Sequence, residues 1–528
     1  MRFAMTYETR TIPARNPHRR KAALSAAAAA LAWGCATPAA AINGKPAVDR
    51  QTVVVAITAL PANLDPLIPP SIESAKYAWN AFDSLYGFDR QGNLEPRLAT
   101  GYEISADGLV WTFRLRAGVK FHNGDAFSAD DVKFSMDRVL QPETRSTRRP
   151  FFAPVVESTT VKDAHTVVFR LKKKDGAFLN KLAGYLYVVP RKYVQGLPNA
   201  EAFGQAPVGT GPWKIVQNQV GRELVFERFD GFWGKPPGAA RLVYKVIPEP
   251  SSRASALLAG EIDLATEVAP TDLERLAANK GLAAEVVDGG SPLHIRIYAS
   301  DPASPLARRE VRLALNYAVD KKALIASVLR GQAAELNALI PSSYPYGSNP
   351  ALKPFAFDAA RARQLLAQAG YAKGFDTSLT CPSNQPRAVC ETLAAYWGQV
   401  GVRTQIKVID SIAYNRLNNT HQSGPLVVMG FGNAIYDPIH VIGGAATRDG
   451  TWSDYTNPEV EKLVAQVDGE ADRARREAIF RQVLQITRDD GQAVLLAEPK
   501  VLYVQDPQLG WKPQVAGWSL NFREVAWK

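Results

Sequence analysis

A chain of 528 residues with 46% hydrophobic content can bury sizeable cores and build two or more lobes. The formal charge is +11, but residues 1–41 hold six basic residues against one acid, net +5, which leaves +6 for the remainder. There acids and bases are interleaved, as in Lys172-Lys173-Lys174-Asp175, which describes a solvated surface and argues against a nucleic-acid-binding face.

The first 41 residues read as a leader. His18-Arg19-Arg20-Lys21 is basic, residues 22–31 are apolar and too few to span a bilayer, and Ala39-Ala40-Ala41 suits cleavage before Ile42. Arg19-Arg20 permits twin-arginine export, but the residues around the pair favour an ordinary secretory signal. Cys35 follows Ala32-Trp33-Gly34, a poor lipidation context. Removing the leader leaves Cys381 and Cys390. An exported chain can bridge them, and Pro382 and Pro386 favour a looped-back segment between; two free buried thiols fit equally well.

In chain order, residues 53–57 read as a buried strand and residues 71–85 as a helix. Residues 92–140 bring a strand, a turn, a strand, a loop and a helix in quick succession. Trp111, Phe113 and Leu115 alternate with Thr112, Arg114 and Arg116, the period of a half-buried strand. Ala106-Asp107-Gly108 and Asn123-Gly124-Asp125 mark turns, and Ser128 with Asp130 and Asp131 suits a helix start. Strands are expected at 167–171, 185–189, 224–228, 242–247 and 293–298, with a helix over 251–259 ended by Gly260. After Asp301 helix and strand alternate, which predicts an α/β unit. Its helices are expected at 310–328, from Asp358 to Ala369, at 387–400, 460–467 and 471–488. Its strands fall at 402–408, 426–430, 494–496 and 501–504.

Further motifs follow residues 92–140: Gly209-Thr210-Gly211-Pro212-Trp213, Phe232-Trp233-Gly234, Arg312-Leu313-Ala314-Leu315-Asn316-Tyr317-Ala318-Val319-Asp320 and Tyr455-Thr456-Asn457-Pro458-Glu459-Val460. Their order resembles the solute-binding proteins of peptide-type ABC importers, extracellular family 5, whose members include dipeptide-, oligopeptide-, glutathione- and nickel-binding proteins. The likeness runs from about residue 53 to residue 518. It implies an α/β two-lobe periplasmic-binding-protein fold with the ligand cleft between lobes. Lobe one would take residues 42–295, with an inserted subdomain at about 71–206, and the return segment 500–528; lobe two would take 296–499. The resemblance further implies a periplasmic, monomeric, non-catalytic protein without a cofactor. It would hand a small peptide or peptide-like ligand to an ABC permease in the membrane. The ATPases would lie on other chains, because no P-loop is present here. A ligand sensor or chaperone-like protein using the same cleft is the alternative.

Gly209-Thr210-Gly211 is not a phosphate cradle: no Gly-Lys-Ser/Thr follows, and Pro212 removes a donor. His122, His165, His294, His421 and His440 form no HExxH pair, and there is no GxSxG elbow, so neither a metal nor a catalytic site is indicated. The binding residues are those the resemblance implies. In peptide-binding relatives a glycine–aromatic pair ends a lobe-two strand, and an aspartate three residues past the aromatic meets the peptide α-ammonium. Gly430 and Phe431 match the pair, but Ala434 stands where the aspartate would be. Gly430, Phe431, Gly432, Ala434 and Tyr436 would line the ligand. Asp437 is either a substitute anchor or the N-cap of a helix starting near residue 439. Arg387 is either a carboxylate partner or a solvated helix-terminal residue. An unpaired buried ammonium costs on the order of several kcal/mol. The sequence therefore predicts a ligand that is N-blocked, differently oriented or not a peptide, and generic free-amine peptides should bind poorly.

Overall fold

The computed structural model describes residues 50–528 apart from Ala200, Asn384, Phe431 and Trp518, and leaves out the side chains of Ser71, Ile72, Ser411, Ile412 and Asn415. The expected leader with Cys35, and Phe431 of the expected binding segment, lie outside the described residues.

A single strand, Ala493–Gln505, organises the larger of the sheets. Its first part pairs antiparallel with Leu293–Ile297, residues 497–499 pair with Ala333–Glu335, and residues 500–505 pair with Ala283–Asp288. Beyond Leu293–Ile297 the sheet continues through Leu426–Met429, Phe375–Pro382 and Val402–Ile409, the last three mutually parallel. On the other side it continues through Leu264–Ala265 and Thr52–Ile57 to Arg241–Val246, Glu223–Arg228 and Trp213–Gln219. The sequence predicts two short strands on either side of Pro499, whereas the structure has one. Pro499 sits where the strand changes partners, so its missing N–H costs no ladder bond, and its carbonyl accepts from Gly289 N. The chain crosses between the two halves of this sheet at residues 289–292 and again at Pro499.

A separate four-stranded antiparallel sheet orders Ala99–Ile104, Val110–Leu115, Thr166–Leu171 and Val156–Asp163. The expected alternation holds: Trp111, Phe113 and Leu115 are buried and pack with Phe169 and Phe178. Helix Ala129–Leu140 begins in a capping box, with Ser128 N donating to Asp131 Oδ2 at 2.9 Å.

Two expected elements differ. Tyr185 ends the helix Phe178–Tyr185, and residues 186–189 run buried and extended outside the sheets, with Val188 N donating to Asp83 O. A five-residue apolar run does not separate strand from helix end by periodicity. The helix expected over 310–328 is two, Arg309–Tyr317 and Lys321–Ser327. Asp320 breaks it by capping the second, accepting from Ala323 N at 2.9 Å.

Candidate binding site

The parallel strands Phe375–Pro382 and Leu426–Met429 end at the same edge of the sheet, with Leu379 opposite Leu426 and Thr380 opposite Val427. The carboxyl ends of parallel strands are where open α/β sheets bind ligands. Two segments leave this edge: residues 383–386, leading to Arg387, and residues 430–438.

Gly430 is exposed, and a Cβ on it would stand 3.3 Å from Ser291 Oγ, in the first crossing segment. Residues 432–437 are then buried. Asn433 folds them: its Nδ2 donates to Asp437 O at 2.8 Å, and Tyr436 N donates to Asn433 O. Tyr436 adopts φ +50, and its hydroxyl donates to Val515 O at 2.9 Å. Its ring packs on Phe88 and Tyr344, at centroid distances of 4.8 and 6.3 Å. Helix Phe178–Tyr185 faces this segment. Asn180 Nδ2 donates to Ile435 O at 2.8 Å, and a Cβ on Gly184 would lie 2.3 Å from Ala434 O, so that position accepts only glycine in this arrangement. Beside it Tyr185 and His440 share a hydrogen bond of 3.1 Å, within a cluster completed by Phe151 and Trp452.

Asp437 is not an open anchor. Its carboxylate takes 2.9 Å contacts from Arg476 Nη2 on both oxygens, and its Oδ1 also accepts at 3.0 Å from the N–H of Ile439, the first residue of helix Ile439–Ala445, whose N-cap position is Pro438. Burial raises the Asp437 carboxyl although Arg476 opposes it. Burial would lower the Arg476 guanidinium, but the Asp437 charge outweighs this and raises it. Arg387 stands apart: its side chain is 74% exposed and pairs with Glu391 one helical turn on. Between the strand end and Arg387, Cys381 and Cys390 form a disulfide, with an S–S distance of 2.08 Å.

Sequence reasoning missed Glu498. It is 4% exposed and lies in the middle of the long strand. Its Oε1 accepts from Gly290 N at 3.0 Å and from the Ser343 hydroxyl. Burial raises this carboxyl, with those two donors opposing and Asp288 adding to the shift. The available signal was a lone acid directly after five apolar residues. The Gly209-Thr210-Gly211 turn packs on a helix end instead: Cβ atoms on Gly209 and Gly211 would meet Ala81 O and Asn80 O at 2.0 and 2.4 Å. A cavity of about 840 Å³ between residues 88–97, 232–238 and 510–526 has its inner arginines committed, Arg97 to Glu95 and Arg523 to Asp83.

The fold and this seam define a class. The structure superposes with a TM-score of 0.80 on the periplasmic binding protein DppA of Helicobacter pylori in complex with the peptide STSA, at 26% identity over 90% of this chain and 98% of that one. Two curated relatives are glutathione-binding proteins GsiB. That of Pectobacterium atrosepticum is 29% identical over 485 residues, 89% of this chain and 93% of its own. That of Salmonella typhimurium is 31% identical over 380 residues, 71% and 72% of the two chains. Residues 93–451 match the family described as bacterial extracellular solute-binding proteins, family 5 Middle. The chain belongs to extracellular solute-binding protein family 5 and has the two-lobe α/β fold of its binding proteins. That family consists of solute-binding proteins rather than enzymes.

Proposed function

We propose that this chain is the exported, periplasmic solute-binding component of an ABC importer. It captures a small peptide or peptide-like solute in the cleft between its lobes and delivers it to a membrane permease, acting as a non-catalytic monomer. Lobe one comprises residues 42–295 and 500–528, lobe two residues 296–499, and the crossings at 289–292 and Pro499 form the hinge. The observation that supports this most is the seam where residues 432–437, at the carboxyl end of a parallel strand, lie buried against helix Phe178–Tyr185. Few hinge residues and a ligand preferring the closed state suffice for such a device.

Within the cleft, the backbone of Gly430 and Gly432 supplies hydrogen bonds, and Ala434 and Tyr436 form wall. Asp437 supports the wall through Arg476 and does not meet the ligand. Arg387 exchanges Glu391, an exposed pair worth only about 0.3–0.5 kcal/mol, for a ligand carboxylate. With no carboxylate at Ala434, the ligand is oriented differently from an α-peptide whose ammonium lies there. Glutathione, which the GsiB relatives are named for, is itself a peptide whose first linkage runs through a side-chain carboxyl, so its ammonium is displaced.

Native mass spectrometry of protein purified from the periplasm, followed by calorimetry with di- to tetrapeptides and glutathione, tests this reading. A retained peptide-sized mass, or micromolar binding of a peptide-like ligand, is expected. No retained mass and no binding of any of these would overturn it.

A further inference from the structure

Among the described residues, six carboxylates are buried: Asp65, Asp83, Asp131, Asp175, Asp437 and Glu498. Four of them face a cation: Asp65 pairs with Arg138, Asp83 with Arg523, Asp175 with Lys181 and Asp437 with Arg476. Asp131 is filled on both oxygens by helix-capping donors, Ser128 N on Oδ2 and Arg191 N on Oδ1. Glu498 differs. Both of its donors, Gly290 N and the Ser343 hydroxyl, are neutral and bind the same oxygen. Among the described residues no cation pairs with it, and Oε2 accepts no hydrogen bond. A buried carboxylate in that state is costly unless it takes up a proton or a positive charge arrives.

Its position fits an arriving ligand. Gly290 belongs to the first chain crossing and Glu498 directly precedes Pro499 at the second, so the carboxylate stands where the two halves of the sheet join. Ser291, the next residue, lies beside the exposed Gly430 at the end of the binding strand. Tyr344, which follows Ser343, packs on Tyr436. The hinge carboxylate thus lies one residue, through Ser291 and through Tyr344, from side chains that touch Gly430 and Tyr436.

We propose that Glu498 is the cation anchor of the cleft, taking a primary ammonium of a peptide-like ligand at the hinge in place of the carboxylate absent at Ala434. This rests on the solute-binding reading above and fixes the orientation it left open. The Glu498 carboxylate accepts from the ammonium through Oε2, while Gly290 and Ser343 hold Oε1.

Calorimetry on wild type, Glu498→Gln and Glu498→Asp, with free-amine di- to tetrapeptides, glutathione and their N-acetylated counterparts, tests it. Gln keeps an acceptor for Gly290 and Ser343, so the fold should survive, and thermal melting without ligand should be unchanged or higher. In wild type, the ligands that bind should prefer the free amine by roughly tenfold or more, the scale of one charge-assisted hydrogen bond. Glu498→Gln should abolish that preference without weakening the acetylated forms, and Glu498→Asp should keep part of it. A preference that survives Glu498→Gln, or a wild type blind to acetylation, overturns the anchor and leaves the solute-binding reading standing. Failure of wild type to bind any of them, with no mass retained in native spectra, overturns both.

Discussion

Arg476 holds Asp437 in a buried pair: the guanidinium lies 2.9 Å from both carboxylate oxygens, and both side chains are 3% exposed. Arg476 also donates to Tyr346 Oη and to Val467 O, so the pair ties helix Arg473–Asp489 to the segment that follows the binding strand. Removing one partner strands a buried charge. Arg476→Met should therefore cost about 3–5 kcal/mol of unfolding free energy, read from urea midpoints. It should leave any free-amine preference in ligand binding intact. A variant that keeps wild-type stability but loses the preference would show that Asp437, freed or not, meets the ligand.

Gly184 offers a test of closure. Alanine there would collide with the Ala434 carbonyl, a backbone atom that cannot rotate away. Gly184 is the penultimate residue of helix Phe178–Tyr185, so the same change gives the helix itself little in return. Gly184→Ala should thus force the seam apart, give no gain in thermal stability and weaken ligand binding at least about tenfold. Small-angle scattering should show a radius of gyration that no longer shrinks on ligand addition. Normal closure in the variant would mean that the seam at Ala434 is not part of the bound state.

Buried histidines set an acid limit. His122 accepts from Gly209 N through Nδ1 at 3.2 Å and donates to Gly211 O through Nε2 at 2.9 Å, so it is held neutral. His294 bonds Pro292 O through Nδ1 at 2.9 Å. Burial lowers each from 6.5 to about 4, and does the same to His440 beside Tyr185. Between those values the unfolded chain binds more protons than the folded one. Stability should therefore fall as the pH drops from about 6.5 to about 4 and level off below, by about 3 kcal/mol per histidine. Asp131, Asp437 and Glu498 carry raised carboxyls and act with the opposite sign, so the histidine contribution is isolated by variants. His122→Gln should flatten the slope of urea midpoints between pH 6.5 and 4, and an unchanged slope would exclude His122 as its source.

Much of this architecture was legible because local signals agreed. Ser128 with Asp131, Asp358 and Gly260 mark helix ends by chemistry that acts within a turn, and all three hold in the structure. The Trp111, Phe113, Leu115 alternation needs only one buried face. Pro499 misled because its cost depends on a long-range fact, the exchange of strand partners at that residue. The Asp437–Arg476 pair spans 39 positions and the Glu498–Gly290 contact 208, so neither leaves a pattern in a sequence window. Arg387 and Ala434 were placed by family likeness, which supplies positions along the chain but not the direction of a side chain.

The leader makes a separate prediction. N-terminal sequencing of the exported protein should begin near Ile42, because Ala39-Ala40-Ala41 presents small residues to a signal peptidase. A start at an acylated Cys35 would instead establish a membrane-anchored lipoprotein.

The bridge between Cys381 and Cys390 closes a segment with a sequence separation of nine, from the end of strand Phe375–Pro382 into the first turn of helix Arg387–Gln399. Both cysteines are buried, at 2% and 0% exposure, so native labelling would miss free thiols as readily as bridged ones. Labelling of the exported protein under denaturing, non-reducing conditions is the decisive measurement, and no cysteine should react. Two reactive cysteines would rule the bridge out. A loop of this length limits the unfolded chain by about 2–3 kcal/mol in the chain-entropy account, so replacing both cysteines with alanine should lower the urea midpoint by a corresponding amount. Arg387 begins the helix that the bridge pins to the sheet. If its guanidinium takes a ligand carboxylate, the same double replacement should also weaken binding of ligands with a free carboxylate more than that of their amides. Equal weakening of both would leave the bridge a purely structural tie.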